Sequence, residues 1–418
     1  MGLSFITQLV LARFLGVENF GDYVYITTWM TTLTLLGKLG FDVAAIRYVA
    51  EYRAKEDWPR LMGFIQRAIQ VTIILSLISM GLIGGMTQIM ANYGVIEGRL
   101  SLLFWIGTPI LLLSALREVQ IGILRGLGQV LKAISLDMVV FPLLIVTTIS
   151  GYSLLTVARI DATTGIFSYL LAIGLVVIVQ RFYIRKYLPS SSAIISSIYS
   201  TKEWMGTSLA MSFTSGVQVL IHRMDVLAIG TFIGTSQAGI YSIAVRLVHL
   251  ITLSLNVTNL ASAHLFAPLE RLGRLDRLQK IVYLTAKLTF LSTLPGILIL
   301  FFWADYILQL FGKGFISGLP ILQILLVGEI VNISTGPNGL LLNMTGHHKK
   351  MVWILACTAA LDFGLIAVLL PYWGSIGVAT ATAVSVIFRN AITVILVWHH
   401  LKVNPTIFSI RAWALSRD

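Results

Sequence analysis

The chain has 418 residues, of which 57% are apolar and only 11% are Asp, Glu, Lys or Arg. A soluble protein carries about 25% charged residues, and so thin a supply does not coat a water-facing surface. An ordinary cytosolic enzyme is thereby excluded, and the net charge of +12 lies in short basic clusters between apolar runs, a pattern that orients membrane helices rather than grips nucleic acid.

In lipid, backbone polar groups must be satisfied internally, so the implied fold class is an all-α polytopic membrane protein. A bilayer core takes about 20 apolar residues per helix. About twelve hydrophobic segments follow in order: 3–16, 22–50, 62–90, 100–124, 132–155, 163–182, 204–233, 239–267, 281–310, 320–344, 351–371 and 375–399. Separators such as ANYGVIEGR, FGKGF and PYWG carry turn signals. The long connection, 181–203, is Ser-rich and contains Pro189. Its part 191–203 reads as a cytoplasmic linker between an N-terminal six-helix bundle, 1–190, and a C-terminal one, 204–418. The first segment gives about 21 Å of helix against a core of about 30 Å. With Met1 falling mid-helix, it reads as truncated, with the true start expected upstream. No cleavable signal peptide is expected, because GLSFITQLVLARFLG has neither a basic start nor a small-residue cleavage box. Cys357 is the single cysteine, so there is no disulfide framework and no thiolate metal site.

Basic residues set the orientation. With the even-numbered helix ends inside, the inner side collects Arg53, Lys55, Arg60, Arg125, Lys132, Arg181, Arg185, Lys186, Lys202, Arg271, Arg274, Arg277, Lys280, Lys349, Lys350, Lys402, Arg411 and Arg417. The outer side collects Arg99, Arg159 and Lys313. Both termini are expected in the cytoplasm.

The two halves repeat. FLGVENFGDY (14–23) aligns with FIGTSQAGIY (232–241), pairing Gly16 with Gly234, Gly21 with Gly239 and Tyr23 with Tyr241. At the same ungapped spacing Gly128 meets Gly346, Lys132 meets Lys350, Gly94 meets Gly312 and Arg53 meets Arg271. A duplicated unit with an even number of spans inserts the same way up twice, which predicts halves related by an axis along the membrane normal with the substrate path between them.

LARFLGVENFGDYVYI followed by LGKLGFDVAAIRYVAE resembles the opening of Wzx-type polysaccharide and oligosaccharide flippases. These belong to the superfamily that also holds multidrug extruders and lipid II flippases. RMDVLAIGTFIGTSQAGIYSIAVRL, Pro268, LFGKGFISGLPILQILLVG, LLNMTGHHKK and LLPYWGSIGVATATAVS continue the resemblance over nearly the whole chain. It implies a 6+6 bundle that carries an isoprenoid-diphosphate-linked oligosaccharide across the inner membrane by alternating access, in O-antigen or capsule-like biosynthesis. The partners it implies are that lipid-linked oligosaccharide, membrane lipids and polysaccharide assembly proteins, with no nucleic acid and no cofactor. The missing start of the first helix departs from the family pattern.

Ionisable residues inside spans are costly and face a cavity or a partner. On either side of the turn near residue 235, Arg223 and Asp225 should be level with Arg246 and His249, and the last two share a helix face. An Asp225–Arg246 ion pair is one reading. A surplus cation that grips an anionic diphosphate or acidic sugar is the other, since guanidinium binds phosphate bidentately. Lys38 and Asp42 are spaced to pair, as are Arg47 and Glu51, and Arg117 stands level with Asp137, so Arg47 and Arg117 read either as cavity cations or as structural partners. Lys287, Glu329, Asp362 and Arg389 are scattered single charges; Asp42, Asp225 and Glu329 are the candidates for ion coupling. None of these charges repeats between the halves, so an electrostatically asymmetric, cation-leaning cavity is expected. His347, His348, His399 and His400 read as solvated interfacial residues.

No P-loop, no HExxH and no paired-carboxylate spacing in a loop occurs, so no enzyme activity is expected. Two rivals stay open. A drug or cation antiporter of the same fold would favour a carboxylate-rich cavity, and an integral-membrane polymerase or ligase would need a sizeable outer loop. Cysteine-accessibility labelling is expected to place the 268–280 loop on the cytoplasmic side; labelling from outside the cell overturns the topology.

Overall fold

The computed structural model describes residues 2–156, 160–188 and 196–408; Arg159, Pro189, linker residues 191–195 and the tail with Arg411 and Arg417 lie outside the described residues. Among the described residues the regular elements are all helical. The first two expected spans form α1 (Gly2–Lys38), bent where Gly16 takes φ 69°, and the second continues past Gly40 as α2 (Phe41–Ala54). The third is α3 (Trp58–Asn92). The fourth is α4 (Gly98–Gly107) with α5 (Pro109–Gly126). The fifth joins α6 (Val130–Ser135) through a π-helical turn to α7 (Phe141–Leu155), and the sixth is α8 (Ala162–Tyr187). Then come α9 (Thr201–Phe232), α10 (Thr235–Arg271) and α11 (Leu275–Phe302). The expected 281–310 span in fact stops at Phe302, and a separate short α12 (Ala304–Phe311) buries Leu308 and Phe311 while exposing Tyr306 and Leu310. After a 3-10 turn come α13 (Leu319–Ser334) and α14 (Asn338–Met344). The last two spans are the limbs of α15 (His348–Leu401), bent where Gly374 takes φ 58°. Eight helical stretches are long and apolar enough to cross a membrane, and α15 contributes two limbs to that set. With the two limbs of α1 and with α9 they account for the expected twelve.

The helices are inside-out relative to those of a soluble protein. On α3 the buried face carries Ala68, Thr72, Ser76, Ser79, Gly84 and Thr87, while Ile74, Leu77, Ile78, Leu82 and Met86 lie exposed. Helix association in lipid gains nothing from apolar burial, so small and weakly polar residues occupy the contacts where backbones approach. The crossing of α2 and α5 shows the consequence. A Cβ added at Gly122 would run into the carbonyl oxygen of Asp42, and one at Gly126 would stand 2.7 Å from Val49 Cβ. Outside the spans, Asp161 caps α8 by accepting from the Thr164 amide at 3.0 Å. Burial pushes its carboxyl up, but hydrogen bonds from Thr163 and Thr164 outweigh that and leave it below the usual carboxylate range.

The chain divides into two compact units, Met1–Gly239 and Ile240–Asp418. Helix α9, counted with the second half by the sequence repeat, packs on the first unit. Trp204 is fully buried, with its ring 5.3 Å from that of Phe64 and its indole N–H donating to the Tyr52 hydroxyl at 3.0 Å. Hydropathy does not report such a docking contact. The core of the second unit gathers Phe266, Leu278, Val282, Leu341, Ile354 and Val397.

The repeat is visible in backbone geometry. Gly128 and Gly346, aligned by sequence, take φ 75° and 81°, a left-handed conformation that suits a residue without Cβ and ends the preceding helix in each half. The α6–α7 span, Val130 to Leu155, has as its aligned counterpart the first limb of α15, from His348 to the residue before Gly374.

Gly122→Val is expected to destabilise the first unit by about 1–3 kcal/mol through overpacking at the α2–α5 crossing. Thermal unfolding of the purified protein in detergent checks this; an unchanged melting temperature contradicts the close approach.

Candidate functional site

The first unit concentrates its charges along α1, α2, α5 and α9. Lys38, at the end of α1, is 7% exposed and bridges two carboxylates, Asp42 at 2.8 Å and Glu118 at 2.5 Å. The i,i+4 pairing with Asp42 follows from the sequence; the contact with Glu118, on α5, does not. Next to it on the same helix, Arg117 pairs with Asp137 at 2.8 Å and stacks over the Phe141 ring at 4.9 Å. Arg117 is thus a structural partner in this arrangement. Arg223, on α9, donates to the Thr31 hydroxyl at 2.7 Å and lies within electrostatic range of Glu118, Arg117 and Tyr169. Among the described residues no carboxylate comes within ion-pair distance of Arg223. These six groups sum to zero: Lys38 is outnumbered by its two carboxylates, Arg117 and Asp137 cancel, and Arg223 supplies the balancing cation.

Arg47 points elsewhere. It is exposed and its guanidinium rests over the Tyr48 ring at 5.5 Å. The expected Arg47–Glu51 pair is not made; Glu51 instead pairs with Lys55 at 2.7 Å, four residues further on, and that hydrogen bond holds its carboxyl below the usual range. Asp225 is buried on α9, and Arg246 and His249 lie together on an exposed side of α10.

A second polar cluster gathers at the start of the second limb of α1, just past the Gly16 bend. Asp22 is 4% exposed, yet accepts from the Thr235 hydroxyl at 2.6 Å and pairs with Arg99 at 2.8 Å. Arg99 also reaches Glu18 at 2.8 Å and Asn19 at 2.7 Å. The backbones touch here: a Cβ on Gly239 would stand 2.8 Å from Gly21 Cα, and one on Gly21 would meet the Thr235 carbonyl. Gly21 and Gly239 are the pair aligned by the repeat. That pairing, with an acid directly after the first glycine, is the signal that could have exposed Asp22.

In the second unit Glu329 is buried on α13 among amides. It accepts from Asn332 at 3.0 Å; Asn332 in turn accepts from Asn390 at 3.0 Å and from Arg389 at 3.5 Å. Asn390 accepts from Asn338 at 3.0 Å and Thr335 at 2.9 Å. The expected scattered charges Glu329 and Arg389 thus belong to one network. The roles of Asn332 and Asn390 rest on contacts between α13 and α15, which residue spacing in the sequence does not report.

The sequence model of the family described as "polysaccharide biosynthesis protein" matches residues 1–263. The chain belongs to that family. A stretch of 124 residues is 28% identical to the stage V sporulation protein B of Bacillus subtilis (strain 168), covering 30% of this chain and 24% of that protein. Solved structures share the fold over nearly the full length. An inward-facing multidrug resistance MATE family transporter of the MOP superfamily superposes with a TM-score of 0.74 at 16% identity, covering 99% of this chain and 95% of that one. The lipid II flippase MurJ, in an inward closed conformation, gives 0.71 at 15% identity over 94% of this chain and 85% of its own. A MOP superfamily transporter from Pyrococcus furiosus gives 0.62 at 14% identity over 96% and 93%. The family member described here is therefore a multi-pass membrane protein with the twelve-helix fold of MOP superfamily transporters.

Replacing Lys38 by Met leaves Asp42 and Glu118 uncompensated. The expected loss is at the lower end of about 3–5 kcal/mol, because the Glu118 side chain is 32% exposed. Adding Glu118→Gln is expected to recover part of it. Denaturation of the single and double variants in detergent checks this; additive losses contradict the bridge.

Proposed function

We propose that the protein flips an isoprenoid-diphosphate-linked oligosaccharide across the cytoplasmic membrane by alternating access, with both termini in the cytoplasm. Membership of the polysaccharide biosynthesis family supports the glycan, and the fold shared with a lipid II flippase and with transporters supports the mode of action. The observation that carries the chemistry is Arg223. It is a partly buried guanidinium held by a neutral Thr31 hydroxyl, with its compensating negative charge further away on the Lys38–Asp42–Glu118 bridge.

A cation in that setting has donors to spare. A diphosphate arriving beside it takes up the guanidinium directly, and the charge-assisted hydrogen bonds that form are stronger than the one to Thr31. Arg246 and His249, on the exposed side of α10, are the further residues assigned to the anionic head group in this reading. Arg117 and Arg47 fall to supporting roles, the first bound to Asp137 and the second stacked on Tyr48. The Asp22–Arg99–Thr235 cluster with its Gly21–Gly239 contact ties the second limb of α1 to the start of α10. Among the carboxylates considered for ion coupling, Asp42 is tied to Lys38 and Asp225 shares α9 with Arg223. Glu329 suits the task best, since its surrounding Asn and Thr side chains can reorient around either a proton or a small cation.

Arg223→Ala and Arg246→Ala are each expected to reduce surface glycan at least tenfold while leaving the protein in the membrane at normal abundance, which quantitative glycan and membrane-protein blots read together. Wild-type glycan from both variants at normal abundance refutes the assignment.

A further inference from the structure

We propose that the two ends of α15 form a binding site for the headgroup of an anionic phospholipid of the phosphatidylglycerol type, separate from the transport path. Because α15 folds back at Gly374, its first and last turns meet. The His347 and His400 rings stand 5.0 Å apart, and the His399 ring lies 4.9 Å from that of His400. The Lys350 ammonium donates to Nε2 of His400, whose Nδ1–H donates to the Leu396 carbonyl at 2.9 Å. An ammonium thus has an imidazole as its partner where a carboxylate would ordinarily stand.

Several cations of the first unit are partnered. Lys55 pairs with Glu51 and Arg60 with Asp57, while Arg53 caps the Leu127 carbonyl. Lys132, which the repeat aligns with Lys350, sits over the Tyr187 ring at 4.4 Å. In the second unit no carboxylate among the described residues comes within ion-pair distance of Lys349, Lys350 or Lys402. The tips of α10 and α11 pack against this end through Phe266, Leu278 and Val282, and Gln279 exchanges hydrogen bonds with Asn404. Those tips bring Arg271, Arg274, Arg277 and Lys280 against only Glu270 and Asp276. The cationic charge is left open to an external anion.

What makes that anion a lipid is the apolar surface one turn deeper. Trp353 is 73% exposed and Trp398 66% exposed, and Val352 and Ile395 beside them are also exposed. Indoles concentrate where headgroups meet acyl chains, and lysines three or four residues away extend to the phosphate level. A free phosphate has no use for that surface, whereas a lipid fills both parts. Each basic residue near a membrane surface strengthens the hold on an anionic lipid about fivefold.

The test is native mass spectrometry of the full chain released from vesicles of mixed phosphatidylglycerol and phosphatidylcholine. Wild-type protein is expected to retain phosphatidylglycerol in preference. Lys349→Gln/Lys350→Gln is expected to weaken that retention about 25-fold, and Trp398→Ala to weaken it with the lysines in place. Lys349→Arg/Lys350→Arg should keep it, and Lys55→Gln in the first unit should leave it unchanged. Equal retention of the two lipids by wild type, or undiminished retention by a monodisperse Lys→Gln double variant, overturns the proposal. So does an equal loss in Lys55→Gln, which marks a general charge effect. Displacement of phosphatidylglycerol by inorganic pyrophosphate with Trp398→Ala silent overturns it too, in favour of a free-phosphate site.

Discussion

The cost of an ionised group in hydrocarbon governs the arrangement of this protein. An unanswered charge inside a span is expensive enough that the fold must supply a partner, a hydrogen-bonding shell or a route to water. The first unit answers charge with charge: Lys38 stands between two carboxylates, and Arg117 faces Asp137. The second unit answers Glu329 with amides and hydroxyls. The two solutions have different consequences. Ion pairs are rigid and lose much when one member changes, whereas an amide shell tolerates a change in the charge it surrounds. The asymmetry expected from the unrepeated charges is therefore an asymmetry of chemistry as well as of sign.

The same solvent logic shapes the packing. Helices whose outward faces are leucine and isoleucine find no gain in burying those faces against each other, so cohesion comes from close backbone approach and hydroxyl hydrogen bonds. Gly122 and Gly126 let α5 rest on α2, Tyr25 of α1 shares a hydrogen bond with Thr231 of α9, and Thr258 of α10 shares one with Thr289 of α11. Such surfaces can separate and re-form without exposing a large apolar core to water.

Much of the fold was legible because hydropathy and glycine placement act locally. A span announces itself by its own residues, and the turns at Gly128 and Gly346 need a left-handed backbone whatever surrounds them. What depended on tertiary contact was not legible. That α9 docks on the first unit rests on Trp204 reaching Tyr52 and Phe64, residues far away in sequence. Glu51 had two basic residues at helical spacing, one on each side, and only the structure selects Lys55 over Arg47. Of the candidate site, most ionisable members were visible as anomalies in apolar runs; Asp22, directly after Gly21, was not. The parts played by their neutral partners, Thr31, Thr235, Asn332 and Asn390, were not visible, because those bonds join residues far apart in the chain.

The Gly21–Gly239 contact has an evolutionary consequence. The two residues hold equivalent positions in the duplicated halves, so a close backbone approach joins a site to its own copy. Once a duplication has placed such a pair face to face, neither copy is free to drift. A methyl group gained on one side cannot be accommodated by a cavity on the other, because glycine has nothing left to lose. Most positions in a duplicated protein become independent after the event. This pair remains locked together, and its two glycines should outlast the sequence similarity that surrounds them.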